Sequence, residues 1–130
     1  MASKLKYLPA TMLGFLDGRE LVAQALASVD VVIAPGPIET FGLAALEALA
    51  CGTPVIANKS SAIPEVVGNA GLALPLNADL WSRGIQRIMS TGDHRVTART
   101  RAEQFTWAST AKKMLEIHGI AHANAWDQAA

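Results

Sequence analysis

The stretch Gly36–Ala57, GPIETFGLAALEALACGTPVIA, decides the fold of this chain. Its centre, Phe41–Ala50, carries Leu or Ala at most positions and predicts a helix, which Gly52 and Pro54 would end. The run that follows, Thr53–Ala57, is apolar and typical of a buried strand. The stretch therefore predicts a helix that leads the chain directly into the core of a sheet.

The same alternation of strand and helix extends on both sides of this stretch. Thr11–Leu16 and Asp30–Pro35 predict strands, and Arg19–Val29 between them has the apolar spacing of a helix. Downstream, GLALPL over residues 71–76 predicts a further strand. Strands that are apolar throughout and alternate with helices indicate an α/β fold, a Rossmann-like parallel sheet covered by helices on both faces.

The rest of the chain is predicted to be helical. Residues 94–123 would form a C-terminal helical segment with a break at Phe105 and Thr106, and Thr106 suits the N-cap of the last helix. The predicted helices after the second buried strand are Pro64–Gly68, Asp79–Thr91, His94–Gln104 and Trp107 to about His122.

The composition fits one domain of 130 residues with a substantial core. Eleven Lys and Arg residues balance eleven Asp and Glu residues, so no overall charge attracts nucleic acid. The single cysteine, Cys51, excludes a disulfide within the chain and is interpreted as a small buried thiol in a reducing compartment. No run approaches the ~20 apolar residues of a membrane-spanning helix, and we expect a cytoplasmic protein.

The basic residues are concentrated in the last third of the chain. Their ordinary interpretation is a set of solvated helix faces. The alternative is a patch that faces a partner domain or the inner membrane surface. These residues are Arg83, Arg87, Arg95, Arg99, Arg101, Lys112 and Lys113.

Glu47 is the only charge in the helix predicted over Phe41–Ala50. A helix that is apolar all round is buried all round, and a buried carboxylate is costly unless it is hydrogen-bonded. The neighbours of Glu47 one helical turn away are mostly small, so we expect its side chain to face a cleft. The alternative is an ordinary exposed glutamate.

Glu39 stands just before this helix, beside Thr40, which suits an N-cap. Compensation of the helix dipole is one explanation for an acid here, and contact with a ligand is the other. Gly42 leaves the first turn bare, so the free amides of Phe41, Gly42 and Leu43 can bind phosphate. Because carboxylates also accept hydrogen bonds from sugar hydroxyls, the two features together predict a nucleotide sugar as the ligand.

Ligands of open parallel sheets bind beyond the carboxyl ends of the strands. In this chain that rule selects two loops, Pro35–Thr40 and Asn58–Ile63. We expect the ligand-binding site where these loops meet.

The stretch PIETFGLAALEALACGTPVIA, followed by IPEVVG and GLAL, resembles the donor-binding half of retaining glycosyltransferases of the GT-B architecture, family 4 or group 1 type. The shared sign is E-x7-E, here Glu39 and Glu47. The flanking GFLDGRELVAQALASVDVVIAP and FTWASTAKKMLEI are also similar to that family. The resemblance runs from Leu13 to about Leu115 and implies that residues 1–130 are a single nucleotide-sugar-binding domain, truncated at its N-terminus.

The resemblance implies a role for each site residue. Glu39 would be the catalytic residue and contact hydroxyls of the donor sugar, and Glu47 would hold the ribose of the nucleotide. The nucleotide base would lie near the turn at Gly14–Asp17. No metal or other cofactor is implied, in agreement with the lack of any Asp-x-Asp in the sequence. The diphosphate would be cradled by four successive amides, those of Thr40, Phe41, Gly42 and Leu43.

The implied reaction is transfer of a hexose from a nucleoside diphosphate sugar with retention at the anomeric carbon. The stretch GPIETFGLAALEALA resembles the corresponding part of GDP-mannose-dependent bacterial mannosyltransferases, which implies GDP-mannose as the donor. A glycogen- or sucrose-synthase-like enzyme is the alternative within the class. Ser61 and Ala62 depart from the Gly-Gly pair that many family members carry. Two other function classes stay open: a non-catalytic nucleotide-sugar-binding module, and an α/β interaction fragment.

The resemblance also implies parts that these 130 residues lack. They are an acceptor-binding domain and two strand–helix units with a glycine-rich loop, an Arg and a Lys, so the chain alone is predicted to be inactive. Removal of those units would leave a strand edge unpaired. We expect one of three outcomes: Thr11–Leu16 pairs with Val31–Pro35, a second copy covers the edge in a homo-oligomer, or the chain is only marginally stable.

Overall fold

The computed structural model describes residues 8–119, which form a three-stranded parallel sheet and six helices. The strand order is β1-β2-β3, so the predicted α/β, Rossmann-like class is confirmed. The strands are β1 (Val32–Ala34), β2 (Val55–Asn58) and β3 (Gly71–Leu74). The helices are α1 (Arg19–Ala27), α2 (Leu43–Ala50), α3 (Ile63–Val67), α4 (Ala78–Ser90), α5 (Arg95–Ala102) and α6 (Trp107–Ile117).

The central strand β2 is buried along its whole length. Successive side chains of a strand point to opposite faces of the sheet. Val55 and Ala57 accordingly pack into a cluster with α2, α3 and α5, whereas Ile56 packs with Trp81 and Ile88 of α4. Helices therefore cover both faces of the sheet, as predicted.

The predicted strand at Thr11–Leu16 is wrong. This segment has no regular structure, and the side chain of Phe15 is 91% exposed. Gly14 adopts φ 70°, which breaks an extended conformation. Within residues 8–119 no strand lies along the outer edge of β1, so the direct pairing with Val31–Pro35 is also wrong. A homo-oligomer and marginal stability stay predictions.

Helix α1 is attached to the sheet by a buried threonine. The hydroxyl of Thr53 donates to the carbonyl oxygen of Leu26 in α1 at 2.7 Å. Helix α1 ends at Ala27, two residues before the predicted end. The hydrogen bond fixes the end of α1 nearest the amino-terminal edge of the sheet, and so sets how α1 lies beside α2.

Three arginines of α5 each donate a hydrogen bond to a carbonyl in the last turn of another helix. Such contacts satisfy carbonyls that lack partners within the helix and place positive charge at the negative end of the dipole. Neither sequence interpretation of the basic residues anticipated this role, although Arg83, Arg87, Lys112 and Lys113 are exposed as expected of solvated faces. The donors and acceptors are Arg95 Nη1 to Ala27 O (3.1 Å), Arg99 Nη1 to Ala50 O (3.0 Å) and Arg101 Nε to Val66 O (2.9 Å).

The C-terminal segment has the predicted break at Phe105 and Thr106. The hydroxyl of Thr106 accepts a hydrogen bond from the amide of Ser109 at 3.0 Å, and the Ser109 hydroxyl accepts one from the amide of Thr106 at 3.2 Å. This reciprocal capping box confirms Thr106 as the N-cap of α6. Helix α6 ends at Ile117, and the part of the prediction beyond residue 119 lies outside the described residues. None of the helices in residues 8–119 has the length and apolar character needed to span a bilayer.

Candidate functional site

The loops that follow β1 and β2 lie side by side at the carboxyl edge of the sheet. The side-chain amide of Asn58, at the end of β2, donates to the carbonyl oxygen of Pro35 at 3.1 Å. Its oxygen accepts from the amide of Ser60 at 3.0 Å, so Asn58 fixes both loops from a buried position. Sequence reasoning missed this residue, although a single amide at the end of an apolar strand is the signal that would have identified it.

Gly42 sets the point at which α2 begins. It adopts the left-handed conformation with φ 93° and ψ 50°, and a Cβ at this position would lie 2.9 Å from Cγ1 of Ile63. Helix α2 therefore begins at Leu43, two residues later than predicted. Gly42, not Thr40, is the N-cap, so the expected capping role of Thr40 is wrong.

The late start of α2 changes which amides are free. In an α-helix the first amides have no partner inside the helix, and here they belong to Leu43, Ala44 and Ala45. Of the four amides in the predicted cradle, only that of Leu43 lies in this first turn. The amide of Thr40 donates to the carboxylate of Glu39 at 3.0 Å. Glu39 is exposed and stands directly before the turn into α2, as predicted.

The prediction that α2 is buried on all sides is wrong. Leu43, Ala44 and Glu47 are exposed, because α3, α5 and the sheet cover only the opposite face of α2. Glu47 is therefore exposed to solvent, as the ordinary interpretation expects. Its side chain also faces a cleft, as the other interpretation expects. Glu47 lines a mostly apolar groove of about 490 Å³ between α1 and α2.

This groove brings together two regions that are far apart in the sequence. Leu16, in the turn where base contacts are expected, and the nearby Gly18 line it together with Glu47. The groove floor includes Val22 and Leu26 of α1. Its lining is mostly apolar and includes the carboxylate of Glu47, which can accept hydrogen bonds from hydroxyl groups.

Cys51 also lines this groove and differs from its prediction. It carries a free thiol and is only partly buried, because it faces the groove. A second concavity, of about 190 Å³, contains His94 and Asp30 and lies at the amino-terminal edge of the sheet. Ligands of such sheets bind at the opposite edge, where α1 and α2 begin. The groove beside Glu47 runs from Leu16 and Gly18, before the start of α1, to Leu26 and Cys51 at the far ends of the two helices, so its Leu16 end is the better candidate site.

Ser61 shapes the loop that follows β2. Its hydroxyl donates to the carbonyl oxygen of Asn58 at 2.8 Å and accepts from the amide of Ile63 at 3.3 Å. Ser61 thus supports the turn at the place where the resemblance implies a Gly-Gly pair. Within residues 8–119 no three or more His, Cys, Asp or Glu side chains are close enough to hold a metal ion, and metal independence stays a prediction.

The sequence matches one protein family over residues 5–105, the family described as glycosyl transferases group 1. The matched region contains the whole sheet, Glu39, Glu47 and the groove between α1 and α2.

Named relatives agree with this match. The chain is 44% identical over 115 residues to a GDP-mannose-dependent alpha-(1-6)-phosphatidylinositol dimannoside mannosyltransferase of Mycobacterium tuberculosis, covering 86% of this chain and 30% of the relative. It is 33% identical over 130 residues to a D-inositol 3-phosphate glycosyltransferase of Mycobacteroides abscessus, covering 95% of this chain and 28% of that protein. The chain thus spans less than a third of the length of these relatives.

Proposed function

The chain belongs to the group 1 glycosyl transferases, and on this premise we propose that it is the donor-binding part of a retaining glycosyltransferase that uses a nucleotide sugar. One observation carries the proposal. The N-terminus of α2 opens at the carboxyl edge of the sheet, Glu39 stands before it, and Glu47 lines a groove beside it. These features supply an anion site and two hydroxyl acceptors for one elongated ligand.

We propose a location for each part of the donor. The sugar would lie at Glu39 and the diphosphate at the amides of Leu43 and Ala44. The ribose would lie at Glu47 and the base beside Leu16. As the sugar leaves, negative charge grows on the diphosphate, and the positive end of the α2 dipole stabilises that charge without a metal ion. The amides of Phe41 and Gly42, which precede α2, are further proposed contacts of the diphosphate.

The proposed donor is GDP-mannose and the transferred sugar is a hexose. Support comes from the relative whose name includes GDP-mannose, since it shares 44% of aligned residues with this chain. Calorimetric titration of the chain with GDP-mannose, UDP-glucose and ADP-glucose tests the donor. We expect GDP-mannose to bind with the lowest Kd, and a lower Kd for UDP-glucose or ADP-glucose would favour a synthase-like donor choice instead.

Glu47→Gln tests the site itself. Loss of a charged acceptor of hydroxyl hydrogen bonds is expected to raise the Kd for GDP-mannose about 10- to 100-fold. Glu116→Gln, the same substitution at an exposed position of α6, is the matched control and should leave the Kd unchanged. If no donor produces heat with the unmodified chain, the proposal fails and the α/β interaction fragment becomes the better interpretation.

We propose that the 130 residues alone do not transfer sugar, because the chain matches less than a third of each relative's length and the implied acceptor domain lies outside the matched part. In a protein that joins these residues to such a domain, Glu39→Gln is expected to abolish sugar transfer while donor binding persists. Donor binding without transfer by the unmodified longer protein would instead indicate a non-catalytic binding module. Sugar transfer by the 130 residues alone would contradict the proposed inactivity of the isolated chain.

The outer edge of β1 is proposed to be covered by a partner, either the missing strand–helix units or a second copy of this chain. Within residues 8–119, β1 lies at an edge of the sheet, and the side chain of Ile33 is 53% exposed on the sheet face beside that edge; both observations support the proposal. Sedimentation equilibrium at rising concentration should show self-association of the isolated chain, and a monomer at every concentration would contradict pairing between copies. We further propose a cytoplasmic location, which the single free cysteine supports.

A further inference from the structure

The loop that leads into α2, residues 39–42, has an aromatic contact at its centre. Phe41 is 44% exposed, and its ring meets the ring of Phe105 edge-to-face, with 5.9 Å between the centroids and 74° between the planes. Phe105 lies in the break between α5 and α6. This contact therefore joins the loop beside the proposed donor site to the C-terminal helices.

Arg101 fixes the other side of Phe105. Its guanidinium lies over the ring, with Cζ 4.9 Å from the centroid, where a cation is attracted to the aromatic face. Nε donates to the carbonyl oxygen of Val66 at 2.9 Å, and Nη2 donates to that of Glu65. Nη1 donates to the side chain of Gln104. The guanidinium is therefore held by α3 and by Gln104, just after the end of α5, while it supports Phe105.

Helix α3 is thus in contact with the entry to α2 by two routes. Its first residue, Ile63, lies against Gly42, and its last turn holds Arg101, which supports Phe105 and through it Phe41. We propose that Arg101 and Phe105 are positioning residues for the nucleotide-sugar site: they brace Phe41 and thereby fix the loop that carries Glu39. The link to donor binding rests on the proposed function, whereas the bracing does not.

Amide hydrogen exchange measured by NMR tests the bracing without a ligand. The amide of Leu46 donates to the carbonyl oxygen of Gly42 at 3.0 Å, so its exchange rate reports opening of the first turn of α2. The amide of Val32 is the reference for opening of the sheet, because it donates to the carbonyl oxygen of Pro54 at 3.0 Å. We expect Arg101→Lys, Phe105→Leu and Phe41→Leu to raise the ratio of the two rates about three- to tenfold.

Two control variants separate bracing from general destabilisation. Arg99→Lys alters a matching arginine that contacts the opposite end of α2, and Phe105→Tyr retains the aromatic ring. Both should leave the rate ratio within about twofold of the unmodified chain. Phe41 is partly exposed, so we expect the Phe41→Leu variant to fold. It can therefore decide the test even if a variant at Phe105 fails to fold. An unchanged ratio in Arg101→Lys and Phe41→Leu would overturn the bracing.

Calorimetry with GDP-mannose on the same variants tests the link to donor binding. We expect Arg101→Lys and Phe105→Leu to raise the Kd about three- to tenfold, with Arg99→Lys unchanged. Faster exchange with an unchanged Kd would overturn the positioning role. If the unmodified chain binds no donor, the proposed function fails and the positioning role with it, while the exchange ratio still decides whether the loop is braced.

Discussion

Helix α2 has two faces of similar composition and opposite environment. Ala48 and Leu49 are completely buried against the sheet, α3 and α5, whereas Leu43, of the same type as Leu49, is 62% exposed beside Glu47. The residue types of a helix therefore do not determine which face is covered. The neighbouring elements determine it, and here they leave open the face that adjoins the proposed donor site.

Leu49→Ala on the buried face should have the largest effect on stability. Truncation removes apolar contacts and leaves a cavity, so the free energy of unfolding is expected to fall by about 2–5 kcal/mol. Leu43→Ala, the same substitution on the open face, should change it by no more than about 0.5 kcal/mol. Urea unfolding followed by circular dichroism measures both, and equal losses would contradict the difference between the two faces.

Local patterns in the sequence were sufficient for two strands of the sheet and for the start of α6. The apolar runs at β2 and β3 and the capping residue Thr106 each specify their structure through nearby residues, and these predictions are confirmed. Thr11–Leu16 carries the same apolar signal as a strand but lacks one, because a strand also needs a neighbour to hydrogen-bond with and Gly14 breaks the extended backbone. An apolar run alone does not contain that information.

The elements that surround the candidate site were predictable from the sequence, but their geometry was not. The Leu- and Ala-rich run Phe41–Ala50 identified the helix, and the rule for open parallel sheets identified the edge at which it opens. The start of α2 at Leu43 depends on the contact between Gly42 and Ile63, which are 21 positions apart, so no local pattern reveals it. The exposure of Glu47 depends in the same way on distant parts of the chain. Helix α5 covers one face of α2, and α1 leaves a groove at the other.

Gly42→Ala should have the second-largest effect on stability, because Gly42 sets the residue at which α2 begins. A side chain here must adopt φ 93° and also approach Ile63 at 2.9 Å, so we expect a loss of about 1–3 kcal/mol in the free energy of unfolding. Gly92→Ala is the matched control, since Gly92 has the same φ but none of the described residues lies within 4 Å of the place that an added methyl group would occupy.

Thermal unfolding of these two variants separates backbone strain from the contact with Ile63. The Gly92 variant should lose only the strain, about 1–2 kcal/mol. A loss as large in the Gly92 variant as in the Gly42 variant would mean that Ile63 does not constrain the entry to α2.

Arg99→Ala should have a smaller effect at the C-terminus of α2. The substitution removes the hydrogen bond to Ala50 and an exposed ion pair with Glu103, and exposed pairs contribute little. We expect the free energy of unfolding to fall by about 0.5–1 kcal/mol. Glu103→Gln removes the ion pair but retains the bond to Ala50, so a smaller loss in that variant would assign the effect to the helix terminus. An equal loss in both would assign it to the ion pair.

Glu47→Gln should have the smallest effect on stability, within about 0.5 kcal/mol, because an exposed carboxylate on the open face is replaced by an amide of the same shape. The same substitution is expected to have a large effect on donor affinity, so the unfolding midpoint and the Kd for GDP-mannose should be measured on one preparation. A destabilisation above about 1 kcal/mol would show that Glu47 supports the fold and would remove the contrast between the two faces. If stability holds while affinity falls, the buried face of α2 maintains the structure and the open face is free to serve the ligand.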